Sequence, residues 1–181
     1  MENDPDIVVR NSSSVRSQAE HLGLESPESL VVLPRNYFSA DDVDELKMNQ
    51  EALTIEKLLE QEGVDPDELT ESNERPVTHA WSAETIGPII HFTAEFLVEN
   101  WDSVLTVIGL IESYYSTQRH SSIKFKFSVE HPDGTCKQVE YEGEPDKLEQ
   151  VLDKLEVERD ELMESDPDEA EATDDKETES A

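Results

Sequence analysis

The chain is short of basic residues, and that shortage narrows its functions more than any motif does. Fourteen Lys and Arg stand against 45 Asp and Glu in 181 residues, a formal net charge of -31. Such a chain repels phosphate, so direct nucleic-acid binding is not expected. Cysteine is nearly absent: Cys136 stands alone, which excludes an intramolecular disulfide and any CxxC motif. Six glycines are present, and none builds a phosphate-cradling loop; "IGP" at 86–88 lacks every other element of one. The histidines, His21, His79, His91, His120 and His131, include no i, i+4 pair of the kind that holds zinc on a helix. No metal and no cofactor are expected.

Long apolar runs without charge are missing too. The longest candidate is "IGPIIHFTAEFLVENWDSVLTVIGLI", Ile86 to Ile111, which carries Glu95, Glu99 and Asp102 in its middle. Carboxylates at the centre of a lone span cost roughly 2.5–3.5 kcal/mol each on insertion scales. The stretch is therefore read as part of a water-soluble fold. The start, "MENDPDIVVRNSSS", lacks a basic segment followed by an apolar core, so no signal peptide is read there. The expected compartment is the cytoplasm.

Hydrophobic residues make up 35% of the chain, where roughly 45–50% apolar is usual. Low hydrophobicity with high net charge is, at face value, a mark of disorder, and where the charge sits decides between disorder and something else. The excess is spread through segments with clear hydrophobic periodicity. The last 22 residues, from Asp160, hold eleven acids and Lys176; without them, 34 acids still face 13 bases. Lysine is scarce, at eight residues, and acids fill most positions that read as exposed. This overall composition resembles cytoplasmic proteins of extremely halophilic archaea, whose self-repulsion molar salt screens over about 3 Å. The resemblance implies a habitat and no activity. In dilute buffer, self-repulsion is expected to loosen the fold.

Along the chain, residues 1–27 are polar with a serine cluster at Ser12–Ser14, and are read as a disordered N-terminal segment. Residues 28–69 read as a small strand-and-helix arm. Its apolar run Leu30 to Leu33 ends at Pro34, and "SADDVDELK" opens on Ser39 as a cap. "ALTIEKLLEQEG" sets Leu53, Ile55, Leu58 and Leu59 near one side and stops at Gly63. "VDPDELTE" adds one turn, capped by Asp65. Residues 70–80 read as a linker, 81–159 as a helix–hairpin–helix core, and 160–181 as a disordered acidic tail.

The core begins with the strongest helical pattern. Thr85 caps it, with Pro88 at the third helical position, where its missing N–H is harmless. Ile90, Leu97, Trp101, Val104, Ile108, Ile111 and Tyr115 recur at spacings near three and four. Ile89, Phe92, Phe96, Val107, Leu110 and Tyr114 follow on an adjacent face. So wide an apolar arc calls for cover on more than one side. One long helix is expected, kinked where Asp102 could cap a second one.

"FKFSVEHPDGTCKQVEY", Phe125 to Tyr141, interleaves lysines with aromatics around a turn, as a nucleic-acid platform would. The turn decides against that reading. In "HPDGT", Pro132 presets the first position, Asp133 suits the second, and Gly134 takes the left-handed bulge. His131 then pairs with Thr135, and all later pairs have residue numbers summing to 266. Phe127 faces Val139 and Phe125 faces Tyr141 on one side. Lys126 faces Glu140 and Lys124 faces Glu142 on the other, cancelling the cations. "GEPDKLEQVLDKLE" supplies the cover: Pro145 opens a helix with Leu148, Val151, Leu152 and Leu155 along one stripe. The segment from Ile123 to Leu155 resembles, in pattern, small hairpin–helix modules that accompany effectors of prokaryotic conflict systems. It covers under a fifth of the chain and implies no site residue.

Catalysis finds little support. In the hairpin register Cys136 faces Glu130, whose charge would raise the thiol pKa and blunt it as a nucleophile. With 45 acids, paired carboxylates occur by chance. His79 and His91 flank the expected helix start and could meet a carboxylate. The expected fold is α+β: a long central helix, a β-hairpin and a C-terminal amphipathic helix. Its expected function is non-enzymatic, a protein-interaction or adaptor module of a halophilic cytoplasm that forms a homo-oligomer or binds a protein partner. The candidate interaction face is Ile90, Leu97, Trp101, Val104, Ile108 and Tyr115, the apolar surplus on the central helix. Alternatives are a small enzyme or toxin component with a dispersed carboxylate and histidine site, and an acidic nucleic-acid mimic.

Overall fold

The computed structural model describes residues 3–69, 77–78 and 85–165. The hairpin forms in the register its turn dictates. Strands β6 (Ile123–Glu130) and β7 (Cys136–Gly143) pair from Ile123 with Gly143 to Glu130 with Cys136. Among the described residues these are the sixth and seventh of seven strands. The His131 N–H donates to the Thr135 carbonyl at 2.8 Å, and the Gly134 N–H to the His131 carbonyl at 3.0 Å. Gly134 has φ 88°, the left-handed conformation that closes the loop. Phe125, Phe127, Val139 and Tyr141 are buried. Lys124 lies 3.7 Å from Glu142 and Lys126 lies 3.8 Å from Glu140.

Three further strands widen the hairpin into a five-stranded sheet. β1 (Asp6–Ser12) runs antiparallel along the outside of β7, from Asp6 opposite Glu142 to Ser12 opposite Cys136. β5 (Thr85–Thr93) runs parallel to β6, and β2 (Leu30–Leu33) runs antiparallel to β5. The order is β1-β7-β6-β5-β2. A parallel pair needs a crossover, and residues 94–117 provide it as two helices. Two-residue strands β3 (Met48–Asn49) and β4 (Val77–Thr78) pair in parallel beside this sheet.

The reading of residues 1–27 as disordered is corrected. They hold β1 and then α1 (Val15–Leu22), whose N-cap Ser14 accepts from the Ser17 N–H and whose C-cap is Gly23. The polar residues of β1 mask its nature because a strand at a sheet edge has only one neighbour to bury against. Nor is 28–69 a separate arm, since β2 shares the sheet with β5. The expected turn at 64–69 is instead extended chain, with Asp67 bridged to Val31. Of the expected linker, 70–76 and 79–80 lie outside the described residues. The expected acidic tail begins too early: α5 (Val151–Glu164) runs through Asp160, while 166–181 lie outside the described residues.

The long central helix is also corrected. Residues 85–93 are strand β5, α3 (Ala94–Glu99) follows with the Thr93 hydroxyl accepting from the Phe96 N–H, and α4 (Trp101–Thr117) is separate. Asn100 separates the two helices with φ -120°. The register of β5 on β6 shifts between Ile86 and Ile89, and Gly87 and Pro88 occupy that irregularity. A bulge is where a strand tolerates proline, because no ladder hydrogen bond is lost there. Thr85, Ile86, Ile89, Ile90 and Thr93 are β-branched and suit a pleated surface.

Both faces of the sheet are covered. One carries Phe125, Phe127, Val129, Val139, Tyr141, Ile90, Phe92, Leu30 and Val32, packed with α3, α4, α5 and α2 (Gln50–Gln61). The helix expected at Pro145 starts as a 3-10 turn, Pro145–Gln150, before α5; Leu148, Val151 and Leu155 are buried as expected. Burying each phenylalanine stabilises the fold by about 1.5–3 kcal/mol. The other face carries Val31, Leu33, Ile89 and Cys136 under Val15 and Leu22 of α1, with Tyr37, Ala40 and Leu46 of the following loop. Among the described residues, no helix is long and apolar enough to cross a membrane.

Candidate functional site

The six residues of the expected interaction face do not form one exposed surface. Ile90 lies on β5, Leu97 on α3, and Val104, Ile108 and Tyr115 on α4; all five are buried in the main core. The Tyr115 hydroxyl donates to Glu51 of α2 at 3.1 Å, and burial followed by the Glu51 charge pushes its pKa up. Trp101 alone is half-buried, with the Arg159 guanidinium 5.0 Å from its ring centroid, a cation–π contact between α4 and α5. The aliphatic surplus that suggested a partner is taken up by the sheet itself. Phe125 and Phe127 likewise point into the core, so this hairpin has no exposed aromatic rings beside its lysines.

Chemistry-bearing side chains collect instead beneath α1, on the face of the sheet opposite the phenylalanines. His91 of β5 is paired with Ser128 of β6, and Glu130 of β6 with Cys136 of β7, so strand parity sends all four side chains to one side. His91 Nδ1 is 2.8 Å from Ser128 Oγ, and Ser128 Oγ is 3.3 Å from Cys136 Sγ. His91 Nε2 lies 3.9 Å from Glu130 Oε2. The set contains a nucleophile, a base and an orienting carboxylate, the ingredients of acyl transfer. It is sealed, with exposures of 1% for His91, 0% for Ser128, 5% for Glu130 and 3% for Cys136.

Electrostatics shift two members of this set. Burial, reinforced by Arg16 and opposed by Asp67, lowers the His91 pKa to about 3, so the ring is a feeble base. Burial raises the Cys136 pKa; the Ser12 and Ser128 hydroxyls pull it down less, and Glu130 adds a smaller upward push. The carboxylate opposite Cys136 acts in the direction its strand position implies, but desolvation is the larger cause. Glu130 chiefly holds α1: the Ser14 hydroxyl donates to one of its oxygens, and the Arg16 N–H to the other at 3.1 Å. An anion against the N-terminus of a helix satisfies N–H groups that have no partner within it. The Tyr37 hydroxyl donates to the Val15 carbonyl at 2.8 Å, and Gln18 Nε2 donates to the Tyr37 and Ala40 carbonyls at 2.9 Å. The cluster is a clamp that seats α1 on the sheet.

A second polar group pins α5 to the hairpin. The ligand atoms of His131, Glu158 and Glu161 lie within 4.8 Å of one another, a grouping that Glu158 and Glu161 make three apart on α5. Lys137 already bridges the two acids, with Nζ 3.3 Å from Glu158 and 2.8 Å from Glu161, while His131 Nε2 is 3.0 Å from Glu158. Sequence spacing could not find this grouping, because its histidine comes from the hairpin turn and its acids from a helix. Of the other histidines, His120 Nε2 lies 3.1 Å from the Gln118 side chain, and His79 is outside the described residues.

The two edges of the five-stranded sheet differ. The start of β2 is bridged to Asp67: the Asp67 carboxylate accepts from the Glu28 and Ser29 N–H groups at 2.7 and 2.9 Å, and the Asp67 N–H donates to the Leu30 carbonyl at 2.7 Å. Beside β1 no described residue pairs with the outer edge. Set beside known proteins, the chain matches no family model, no curated protein and no solved structure.

Proposed function

We propose that the chain is a non-enzymatic protein-interaction module of a high-salt cytoplasm, acting by self-association or by binding a protein partner. The observation that carries this reading is the outer edge of β1. Strand edges are templates for pairing with another chain, and proteins that stay monomeric blunt them with charged side chains (lysine above all), proline or bulges. β1 has no lysine, proline or bulge within Asp6–Ser12; its two charges, Asp6 and Arg10, are of opposite sign, its ladder with β7 is unbroken, and Val9 is 39% exposed. The sealing of His91, Ser128 and Cys136 supports the non-enzymatic half, because substrate would have to displace α1 to reach them.

The test is light scattering of the full chain in molar KCl together with a pull-down at the same salt. A stable oligomer, or a partner retained in stoichiometric amount, supports the reading; a strict monomer that retains nothing overturns it. A second reading, an enzyme using Ser128 activated by His91, rests on their 2.8 Å contact. Covalent labelling of Ser128 in the folded chain by a serine-reactive probe would favour it over the first.

A further inference from the structure

We propose that the partner of the β1 edge is a second copy of this chain, joined antiparallel about a two-fold axis through Val8. This rests on the reading of the chain as an interaction module and names the occupant of its open edge. A two-fold axis perpendicular to a sheet pairs residues that point to the same face, so the paired numbers differ by an even count. Five such axes can be centred on the residues of "DIVVR" in β1, and charge distinguishes them. Centred on Asp6, two carboxylates meet. Centred on Ile7, Asp6 meets Val8. Centred on Val9, Arg10 meets Val8. Centred on Arg10, two guanidinium groups meet. Centred on Val8, Asp6 meets Arg10 of the second copy, twice by symmetry, and Ile7 meets Val9.

That arrangement matches on both faces. Ile7 and Val9 lie opposite Tyr141 and Val139, on the side covered by α3, α4 and α5, so their pairing would extend an apolar face. Asp6 and Arg10 lie on the other side with Glu142 and Glu140. Arg10 is already 3.4 Å from Glu140 and is largely exposed, so its guanidinium would stand between that acid and the incoming Asp6. The strand is complementary to its own antiparallel image: acid and base lie symmetrically about an apolar centre, so two copies satisfy both charges at once. Elsewhere the surface is strongly acidic and two copies repel. Molar salt shortens that repulsion to about 3 Å; it weakens the exposed charge pairs less than the longer-range repulsion, and it strengthens apolar contact. The product is one sheet running through both copies, with neither β1 edge left open.

Asp6→Arg and Arg10→Asp, made singly in the full chain, test the register. Each variant opposes like charges across the proposed axis and is expected to weaken self-association on the order of tenfold or more. Mixed in equal amounts, one chain presents only guanidinium groups and the other only carboxylates, so a heterodimer is expected, read by sedimentation equilibrium in molar KCl. Both side chains are exposed, and circular dichroism checks that each variant folds. Self-association unchanged by either substitution, or a mixture that stays dissociated, overturns the proposal and leaves the interaction-module reading standing. A wild-type monomer that captures a different protein also overturns the second-copy proposal alone; a monomer that captures nothing overturns both.

Discussion

Gly87 lies against the ring of Phe125. A β-carbon at position 87 would fall 2.1 Å from Phe125 Cε2, a distance no real contact reaches. The ring sits between β5 and the helices, with Phe127 stacked on it at 5.1 Å between centroids, and has no exposed direction to move in. Gly87→Ala is therefore expected to destabilise the fold by about 1–3 kcal/mol, the usual cost of overpacking a dense core. Guanidinium unfolding of the single variant and of Gly87→Ala with Phe125→Leu measures it. The smaller side chain should restore part of the loss, and additive losses would show that the two positions do not compete for space.

Glu130 is expected to control the docking of α1. Glu130→Gln keeps the shape but places amide hydrogens where the Ser14 hydroxyl and the Arg16 N–H now donate. A loss of about 1–3 kcal/mol is expected. Hydrogen exchange gives the sharper result: amides of 15–22 should exchange faster while those of α4 keep their protection. Uniform loss across both helices would contradict the clamp.

The pH dependence of stability should carry a signature of His91. Its folded pKa is about 3 against an ordinary 6.5, so between those values the unfolded chain binds a proton that the folded chain refuses. Stability from this group is complete above 6.5 and is lost as pH falls toward 3, by up to about 1.4 kcal/mol per pH unit. The difference in unfolding free energy between wild type and His91→Gln should therefore shrink on acidification through that window and stay constant above it. A constant difference across the window would mean that His91 is not sealed as described.

The Cys136 thiol should be silent in the folded chain. It is buried, its pKa is raised by that burial, and the Ser128 hydroxyl lies 3.3 Å away. A thiol reagent at neutral pH is expected to label it only as fast as the chain opens, and at once in denaturant. Labelling of native protein at the rate of a free thiol would show that α1 leaves the sheet readily, and would reopen the catalytic reading of the cluster.

How much of this was legible depended on the distance over which each decision is made. Pro132, Asp133 and Gly134 specify a turn among themselves, and the turn then specifies seven strand pairs outward to Lys124 and Glu142. The stripe Leu148, Val151 and Leu155 was equally local. Residues 85–93 were not. An apolar run of that length fits a helix face or a buried strand equally well, and here the adjacent β6 decided it. Gly87 and Pro88 were the available signal, since glycine followed by proline suits a bulge better than a first helical turn. β1 was hidden by its polarity, although "DIVV" holds the β-branched run of a strand.

The polar clusters were illegible for a different reason. Ser14 and Glu130 are 116 residues apart, and nothing near either position announces the other. In a chain with 45 acids, any one of them can be drawn beside any histidine or serine; only the stacking of three strands and a helix selects Glu130. The amino-acid order alone thus determined the features set by dihedral preference and by alternation across a few bonds: the hairpin, its register and its covering helix. The tertiary structure decided which edge strand lies outermost, which acid seats α1, and that the apolar arc of 90–115 faces inward. Those outcomes are settled by desolvation and packing between distant segments, whose energies exist only once the segments have met.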